Sequence, residues 1–276
     1  MPKTKSSRFL SISSLRHARV GLLAGMLGVG LLAPCASHAQ QNTDATAAPQ
    51  PVDAAAMDIL KKADQIRFPS ESFQVNISIS TKKADQSSET HKYQVSSKGN
   101  DQTVIMVTEP ASERGQAILM SGRNLWVFLP DVSQPVRLSL AQRLTGQVAN
   151  GDLARANFSG DYNPRLLRTE AIGGENFNVL ELNAVDRSVT YQKVVYWVKQ
   201  GNNYPHKAEF YSVSGRLLKT CRYENFRTMA GKTRPTRLVM EDALRAGEQS
   251  VLEYDAMVLK ELPDKMFTKE YLKRAE

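Results

Sequence analysis

The sequence has 276 residues, of which 41% are hydrophobic and 23% are charged, values typical of a soluble globular protein with one sizeable core. Its formal net charge is +8, but residues 1–39 hold five of the Lys and Arg residues and no Asp or Glu, so that 8 − 5 leaves +3 for the remainder. Nucleic-acid binding requires a concentrated basic surface. A nearly balanced chain therefore excludes nucleic acid as an expected partner.

The N-terminus has the pattern of a secretory signal peptide. Basic residues up to Arg19 precede an apolar run, Val20 to Leu32, that is too short to span a membrane, and small residues follow it up to Ala39. Cys35 stands in a pattern close to a lipidation signal, but the proline before it favours cleavage after Ala39. We therefore expect an exported protein whose remaining cysteine, Cys221, is a strand residue without a disulfide or a redox role.

The chain after the signal peptide begins with a tether and a helix. Gln40 to Pro51 is polar and rich in alanine and proline, which predicts a flexible tether before a single domain over residues 52–276. Asp53 can cap a helix that runs to about Phe68, where Pro69 ends it. The apolar positions recur at helical spacing and predict an amphipathic helix; they are Met57, Ile59, Leu60, Ala63 and Ile66.

Strand patterns then continue from Phe73 to Lys260, separated by turn signals such as Gly173-Gly174 and Ser214-Gly215. In the first strand every second residue is apolar and the residues between are polar, from Phe73 to Ile79. Residues 264–274 are expected to form a short terminal helix. This order predicts a mainly β protein: one strongly curved antiparallel sheet of about ten or eleven strands, with an N-terminal helix and short helices on one face.

Several strands are apolar on both faces. In Leu125–Leu129, Trp126 and Phe128 alternate with aliphatic residues, and Val194–Val198 is likewise apolar on both faces. Such a strand has protein on both sides, or protein on one side and a ligand on the other. We expect the second arrangement, a hydrophobic cavity between a concave sheet and a helical lid. Its expected lipid-binding residues are Phe73, Val75, Ile77, Ile79, Leu125, Val127, Leu129, Val194, Tyr196, Val198, Phe210 and Tyr254.

The region from Leu140 to Tyr162 interrupts the strand pattern. Asp152 could cap a short helix over residues 153–158, and a connection of this length is usually functional or mobile. Asp152 and Asp161 could also be considered as an acid–base pair, but capping or turn formation explains both more simply. No catalytic residue is predicted from them.

Other polar candidates offer little chemistry. His91 and His206 lie far apart in sequence and are expected to face solvent, so neither a metal site nor a cofactor is predicted. The sequence contains no nucleophile elbow and no phosphate-binding loop. Arg216, Lys219 and Arg222 are expected to form a solvated strand edge. We therefore expect a binding protein and not an enzyme.

The chain resembles the outer-membrane lipoprotein-sorting proteins, the LolA-like periplasmic carriers, from about Met57 to Tyr271. The residues that carry the resemblance are Ile59–Asp64 with Arg67 and Pro69, Leu125–Pro130, Asn150–Leu153 before Asp161-Tyr162, Val194–Val198, Ala208–Tyr211 and Gly215–Lys219. The resemblance implies an incomplete β-barrel whose hydrophobic interior holds lipid.

The function that the resemblance implies is non-enzymatic transfer of lipoprotein acyl chains or other lipids from the inner to the outer membrane. Its expected partners are an inner-membrane lipid exporter and an outer-membrane acceptor, and the carrier is expected to be monomeric. The alternative is a periplasmic accessory or sensor subunit, which binds a lipidated ligand for a transporter or a signalling partner without moving it. Carrier and sensor differ in whether lipid is transferred.

Overall fold

A computed structural model describes residues 53–83 and 88–273. The predicted signal peptide, Cys35, the cleavage position and the tether lie outside these residues. The strands are β1 (Phe73–Lys82), β2 (Glu89–Lys98), β3 (Gln102–Glu109), β4 (Ala117–Ser121), β5 (Asn124–Phe128), β6 (Val136–Leu138), β7 (Arg143–Thr145), β8 (Val148–Ala149), β9 (Tyr162–Ile172), β10 (Glu175–Ala184), β11 (Lys193–Lys199), β12 (Pro205–Tyr211), β13 (Leu217–Met229), β14 (Lys232–Asp242) and β15 (Gln249–Leu259). The α-helices are α1 (Ala54–Arg67), α2 (Asn150–Ala154) and α3 (Lys269–Leu272), and two 3-10 helices span Ala111–Glu113 and Asp264–Phe267.

Thirteen strands form one antiparallel sheet in the order β6-β5-β4-β3-β2-β1-β15-β14-β13-β12-β11-β10-β9. Two runs of consecutive strands are joined where the first strand, β1, pairs with the last, β15. The edge strands β6 and β9 do not pair with each other, so the sheet is not closed into a barrel. The predicted fold class is confirmed. The sheet contains thirteen strands instead of the predicted ten or eleven.

Helix α1 follows the prediction at both ends. The Asp53 carboxylate accepts a hydrogen bond from the Ala56 backbone N–H at 2.9 Å, and the helix ends at Arg67. Its inner face packs against β9, β12 and β14. Besides Leu60 and Ala63, this buried face contains the charged residues Asp64 and Arg67. The charged pair was not part of the predicted apolar stripe.

The residues between β6 and β9, 139–161, form a covering segment over the same face of the sheet. They contain the β7–β8 hairpin and α2. The prediction of a helix over residues 153–158 was wrong, since α2 begins at Asn150 and ends at Ala154. Asp152 lies in its first turn, where its carboxylate accepts the Ala149 backbone N–H at 2.8 Å. The chain leaves the helix early because Phe158 and Ser159 donate their backbone N–H groups to Asp64.

The main hydrophobic core lies between the sheet, α1 and the covering segment. The opposite sheet face has two smaller clusters. Leu262, Phe267 and Leu272 from the C-terminal region pack with Phe128 of β5, and Trp126 lies against them. Trp197 of β11 packs with Phe177, Val179 and Val195. The strands that are apolar on both faces therefore have protein on both sides, so this pattern does not by itself require a ligand.

None of the helices in residues 53–83 and 88–273 has the length and apolar character that crossing a membrane requires.

Candidate functional site

The structure brings eleven of the twelve expected lipid-binding residues together on the inner face of the sheet. The residues that belong to the main buried cluster are Phe73, Val75, Ile77, Ile79, Leu125, Val194, Tyr196, Val198, Phe210 and Tyr254. Val127 is half-buried against the same cluster. Leu129 follows the end of β5 and is half-buried outside it. Whether these residues contact lipid is not tested by their position and stays a prediction.

An ion pair lies within this apolar interior. Asp64 and Arg67, one helical turn apart on α1, are 3% and 7% exposed, and Arg67 Nη1 lies 3.5 Å from Asp64 Oδ1. The Asp64 carboxylate also accepts the backbone N–H groups of Phe158 at 3.1 Å and Ser159 at 2.7 Å. Burial raises the pKa of the Asp64 carboxyl, while Arg67 and these N–H groups act in the opposite direction. Asp64 thus connects α1 directly to the covering segment.

Phe158 occupies the centre of the closed interior. Its ring lies 4.4 Å from the Arg67 guanidinium carbon and makes an edge contact with Tyr196 at 5.3 Å between centroids. Tyr162 contacts it from a second side at 5.5 Å. The Nε of Arg67 and the hydroxyl of Tyr196 have no hydrogen-bond partner among the described residues. An interior filled by these side chains leaves two polar atoms unsatisfied, which is a cost of the closed arrangement.

A second buried pair fixes α2. The Lys219 ammonium of β13 lies 2.8 Å from the Asp152 carboxylate, and both residues are almost fully buried. The Tyr191 hydroxyl donates to the same carboxylate at 2.8 Å. The prediction that Lys219 belongs to a solvated edge was wrong. Alternation along β13 places Lys219 on the inner face with Cys221 and Tyr223, while Arg222 is exposed on the outer face.

A third polar cluster ties the end of the covering segment to two hairpin turns. Arg155 is 7% exposed on its side chain and donates to the buried Asp161 carboxylate at 2.9 Å. It also donates to Asp101 at 2.8 Å and to the backbone oxygen of Gly122 at 3.3 Å. Arg123 contacts Asp161 from the other side at 3.0 Å. Asp152 and Asp161 therefore belong to two separate ion-pair clusters.

Three small voids lie within the interior formed by the described residues. Two have volumes of about 20 Å³ and one of about 10 Å³, each comparable to one water molecule or less. Arg67 and Tyr223 line two of them, and Phe68 and Tyr254 also line two. Arg67 lies between the second and third voids, so its displacement would join those two. None of these three voids is large enough to hold a hydrocarbon chain.

The other sequence candidates are less exposed than predicted. His91 is 15% exposed on its side chain, with Nε2 at 3.5 Å from Glu113, and His206 is half-buried with its ring 4.6 Å from that of Phe177. Burial lowers the pKa of His206, and the neighbouring Lys207 lowers it further. Cys221 is fully buried in β13, as a strand residue. Among the described residues no group of three or more potential metal ligands occurs.

Comparison with known proteins identifies the family. A protein-family model described as "Uncharacterized protein" matches residues 99–274. A solved LolA superfamily protein from Nitrosomonas europaea is 66% identical in sequence; the match covers 78% of this chain and 98% of that one, with a TM-score of 0.76. The chain belongs to the LolA superfamily. The resemblance predicted from the sequence motifs is thereby confirmed.

More distant structures share the fold of this LolA superfamily protein. A DUF1329 family protein from Desulfovibrio piger is 22% identical, with a TM-score of 0.69 and coverage of 79% of this chain and 98% of that one. A domain from Vibrio parahaemolyticus, described as belonging to an outer membrane lipoprotein-sorting protein, is also 22% identical, with a TM-score of 0.68 and coverage of 80% and 99%. No curated protein matches the chain.

The buried charged residues of this LolA superfamily protein were not predicted as a site from the sequence. Asp64 and Arg67 carried part of the resemblance, yet their burial was not predicted because charged residues are rarely buried unless they are paired. Their spacing relative to Leu60 and Ala63 places them on the apolar side of α1, which was an available signal. Lys219 could have been found from its alternation with Cys221 and Tyr223.

A close contact between α2 and the residue before Tyr191 gives a first test of the covering segment. A Cβ added at Gly151 would lie 2.0 Å from Thr190 Oγ1 and 2.9 Å from its Cγ2. We expect Gly151→Ala to displace α2 and to lower the free energy of unfolding by about 1–3 kcal/mol, measured by urea denaturation. Thr190→Ala in the same chain removes both atoms and should recover part of the loss. A double variant no more stable than Gly151→Ala would show that Thr190 is not the obstacle.

The reactivity of the Cys221 thiol tests whether the interior of the protein is closed. Burial raises the pKa of its thiol to about 12, so that at pH 8 nearly all of it is protonated and unreactive. In a protein that lacks residues 1–39, and so contains Cys221 as its only cysteine, we expect modification by a disulfide reagent to be at least a hundredfold slower than in urea-unfolded protein. Rapid modification of the native protein would contradict the closed interior.

Proposed function

We propose that this protein is a periplasmic carrier that binds the acyl chains of lipoproteins or lipids within its inner sheet face and moves them from the inner to the outer membrane. The observation that carries the proposal is the continuous apolar inner face of a LolA superfamily sheet, covered by α1 and a segment that polar contacts hold in place. Binding is its chemistry, and no catalytic step is assigned to it.

The energetics of lipid transfer explain why an apolar interior is useful. At about 0.8 kcal/mol per buried CH₂ group, a sixteen-carbon chain gains roughly 12 kcal/mol by leaving water. A carrier must supply comparable burial and then release the chain to an acceptor. An interior that closes on its own side chains after release meets the second requirement, because closing recovers apolar contacts that an emptied cavity would lose.

Loading requires opening, since the closed voids hold about one water molecule each. Movement of the covering segment away from α1 would expose Phe73, Ile77 and Tyr254, which line one void beneath Leu153 and Ala154. The polar contacts at Asp64 and Asp152 hold this segment. Polar contacts suit a reversible closure because water can replace them once the segment lifts.

Transfer between vesicles distinguishes a carrier from the alternative accessory or sensor subunit. Donor vesicles contain a self-quenched fluorescent lipid, and acceptor vesicles are unlabelled. We expect the exported form to increase the rate of dequenching in proportion to its concentration. A protein that retains lipid through native mass spectrometry without increasing this rate would be a sensor, and one that does neither would contradict the proposal.

An aspartate substitution on the exposed surface gives the control for this transfer assay. Ile77 is 2% exposed and lies on the inner face, whereas Val258 of β15 is 49% exposed. Val258→Asp should leave transfer unchanged. Ile77→Asp should abolish it, and circular dichroism determines whether that variant is still folded. A folded Ile77→Asp protein with full transfer would show that lipid does not pass along this face.

A further inference from the structure

A groove with basic residues in its lining opens beside the interior, where β13 begins and β14 ends. Its volume is about 290 Å³, more than ten times that of either 20 Å³ void. The β7–β8 hairpin forms one wall, the turn between β14 and β15 forms another, and Leu218 and Lys219 of β13 lie between them. Unlike the interior, this groove has room for a small molecular group in the closed state.

The charges around the groove are mostly positive. Arg143, Arg216, Arg245 and Lys219 line it together with one acidic residue, Asp242. The Asp242 carboxylate accepts the backbone N–H groups of Leu244 at 2.7 Å and Arg245 at 3.0 Å, so it is engaged in the turn.

The four basic residues differ in how far they are already paired. Lys219 is paired with Asp152, and Arg245 lies 3.5 Å from Glu248. Within residues 53–83 and 88–273, neither Arg143 nor Arg216 forms an ion pair, and both are exposed. Two guanidinium groups are therefore available to an anion.

Tyr191 forms the partition between the groove and the apolar interior. Tyr191 lines both the groove and one of the interior voids. Its ring packs against Phe210 at 4.4 Å between centroids, and the Lys219 ammonium lies 4.9 Å from the Tyr191 ring centre. Val148 and Leu218 add apolar surface to the groove wall. A ligand with an anionic end and an apolar chain would bind both regions at once when the Tyr191 side chain moves aside.

We propose that this groove binds the phosphate of an anionic lipid headgroup while the acyl chain of the same lipid enters the interior past Tyr191. The inference rests on the lipid-binding function proposed above and specifies its ligand class. A phosphate presents several oxygens to two guanidinium groups at once, and the planar guanidinium matches such oxygens in paired hydrogen bonds.

The test compares two ligands with the same sixteen-carbon chain, lysophosphatidylglycerol and uncharged monopalmitoylglycerol, below their micellar concentrations. Binding to the exported form is measured by isothermal titration calorimetry. The groove variant is Arg143→Gln/Arg216→Gln. The control variant, Arg187→Gln/Arg227→Gln, removes the same charge from two exposed arginines outside the groove. Inorganic phosphate, at up to 10 mM, is titrated by itself as a third ligand.

We expect the groove variant to bind lysophosphatidylglycerol at least tenfold more weakly than the wild type and the control variant, and to bind monopalmitoylglycerol equally well. A higher NaCl concentration should weaken the binding of lysophosphatidylglycerol and leave that of monopalmitoylglycerol unchanged. If the groove and control variants bind the anionic lipid equally, the headgroup site is refuted while lipid binding stands. If inorganic phosphate binds through the groove and neither lipid binds the wild type, the headgroup assignment and the proposed carrier function are both refuted.

Discussion

Replacement of Asp64 by alanine is expected to lower the free energy of unfolding by about 3–5 kcal/mol, because it leaves the buried Arg67 without its anionic partner. It also leaves the backbone N–H groups of Phe158 and Ser159 without their acceptor. For a domain of this size the loss corresponds to roughly 10 °C in melting temperature, measured by calorimetry. Asp64→Asn keeps an acceptor oxygen and should lose less.

Asp58 on the same helix is the matched control for Asp64. Its carboxylate lies 2.6 Å from Lys62, but both side chains are more than half exposed. Asp58→Ala should therefore change stability by less than about 1 kcal/mol. Modification of Cys221 should accelerate in Asp64→Ala and not in Asp58→Ala, because only Asp64 joins α1 to the covering segment. Equal effects of the two substitutions would show that the buried pair does not hold the interior closed.

Replacement of Arg155 by alanine should have an effect of similar size, about 3–5 kcal/mol, because the buried Asp161 carboxylate then keeps only Arg123 as a charged partner. The substitution also removes the contacts to Asp101 and to the turn at Gly122. Arg155→Lys keeps the charge, but an ammonium group lacks the fork of N–H donors with which the guanidinium reaches several acceptors at once. We therefore expect an intermediate loss in the free energy of unfolding. The free energies of unfolding of the wild type, Arg155→Ala and Arg155→Lys are measured by urea denaturation.

Arg165 is the control for Arg155. It is 65% exposed on its side chain and donates to Glu181 at 2.9 Å on the surface of β9 and β10. Arg165→Ala should cost less than about 1 kcal/mol. Hydrogen exchange adds a local measurement: Arg155→Ala should increase exchange in residues 139–161 before the sheet is affected. Uniformly faster exchange over the whole protein would contradict a role restricted to the covering segment.

The elements that depend on local pattern were predicted from the sequence. Alternating apolar residues determined the strands, and the bounds of α1 followed from the Asp53 cap and from Pro69. The covering segment was predicted less well. Its helix is set by contacts distant in sequence, the bond that Lys219 donates to Asp152 and those that Phe158 and Ser159 donate to Asp64.

The strands with two apolar faces show where pattern reasoning stops. The sequence indicated that both faces of β5 and β11 are covered, and this holds. It could not identify what covers them. The outer face of β5 meets Phe267 and Leu272 from the far end of the chain. The Trp197 ring is covered instead by the Lys207 ammonium, 3.9 Å from its centre, with its Nε1–H donated to Glu170 at 3.1 Å.

The amino-acid sequence by itself determined the fold class, the strand positions, the N-terminal helix and the family, because each depends on spacing along the chain. Only the tertiary structure decided that the inner face is closed by side chains around Phe158, with Asp64, Arg67 and Lys219 buried there as paired charges. The reason is physical. Burial of a charged side chain costs free energy unless an opposite charge and hydrogen bonds compensate it. The groups that compensate these charges come from segments that are neighbours only after folding.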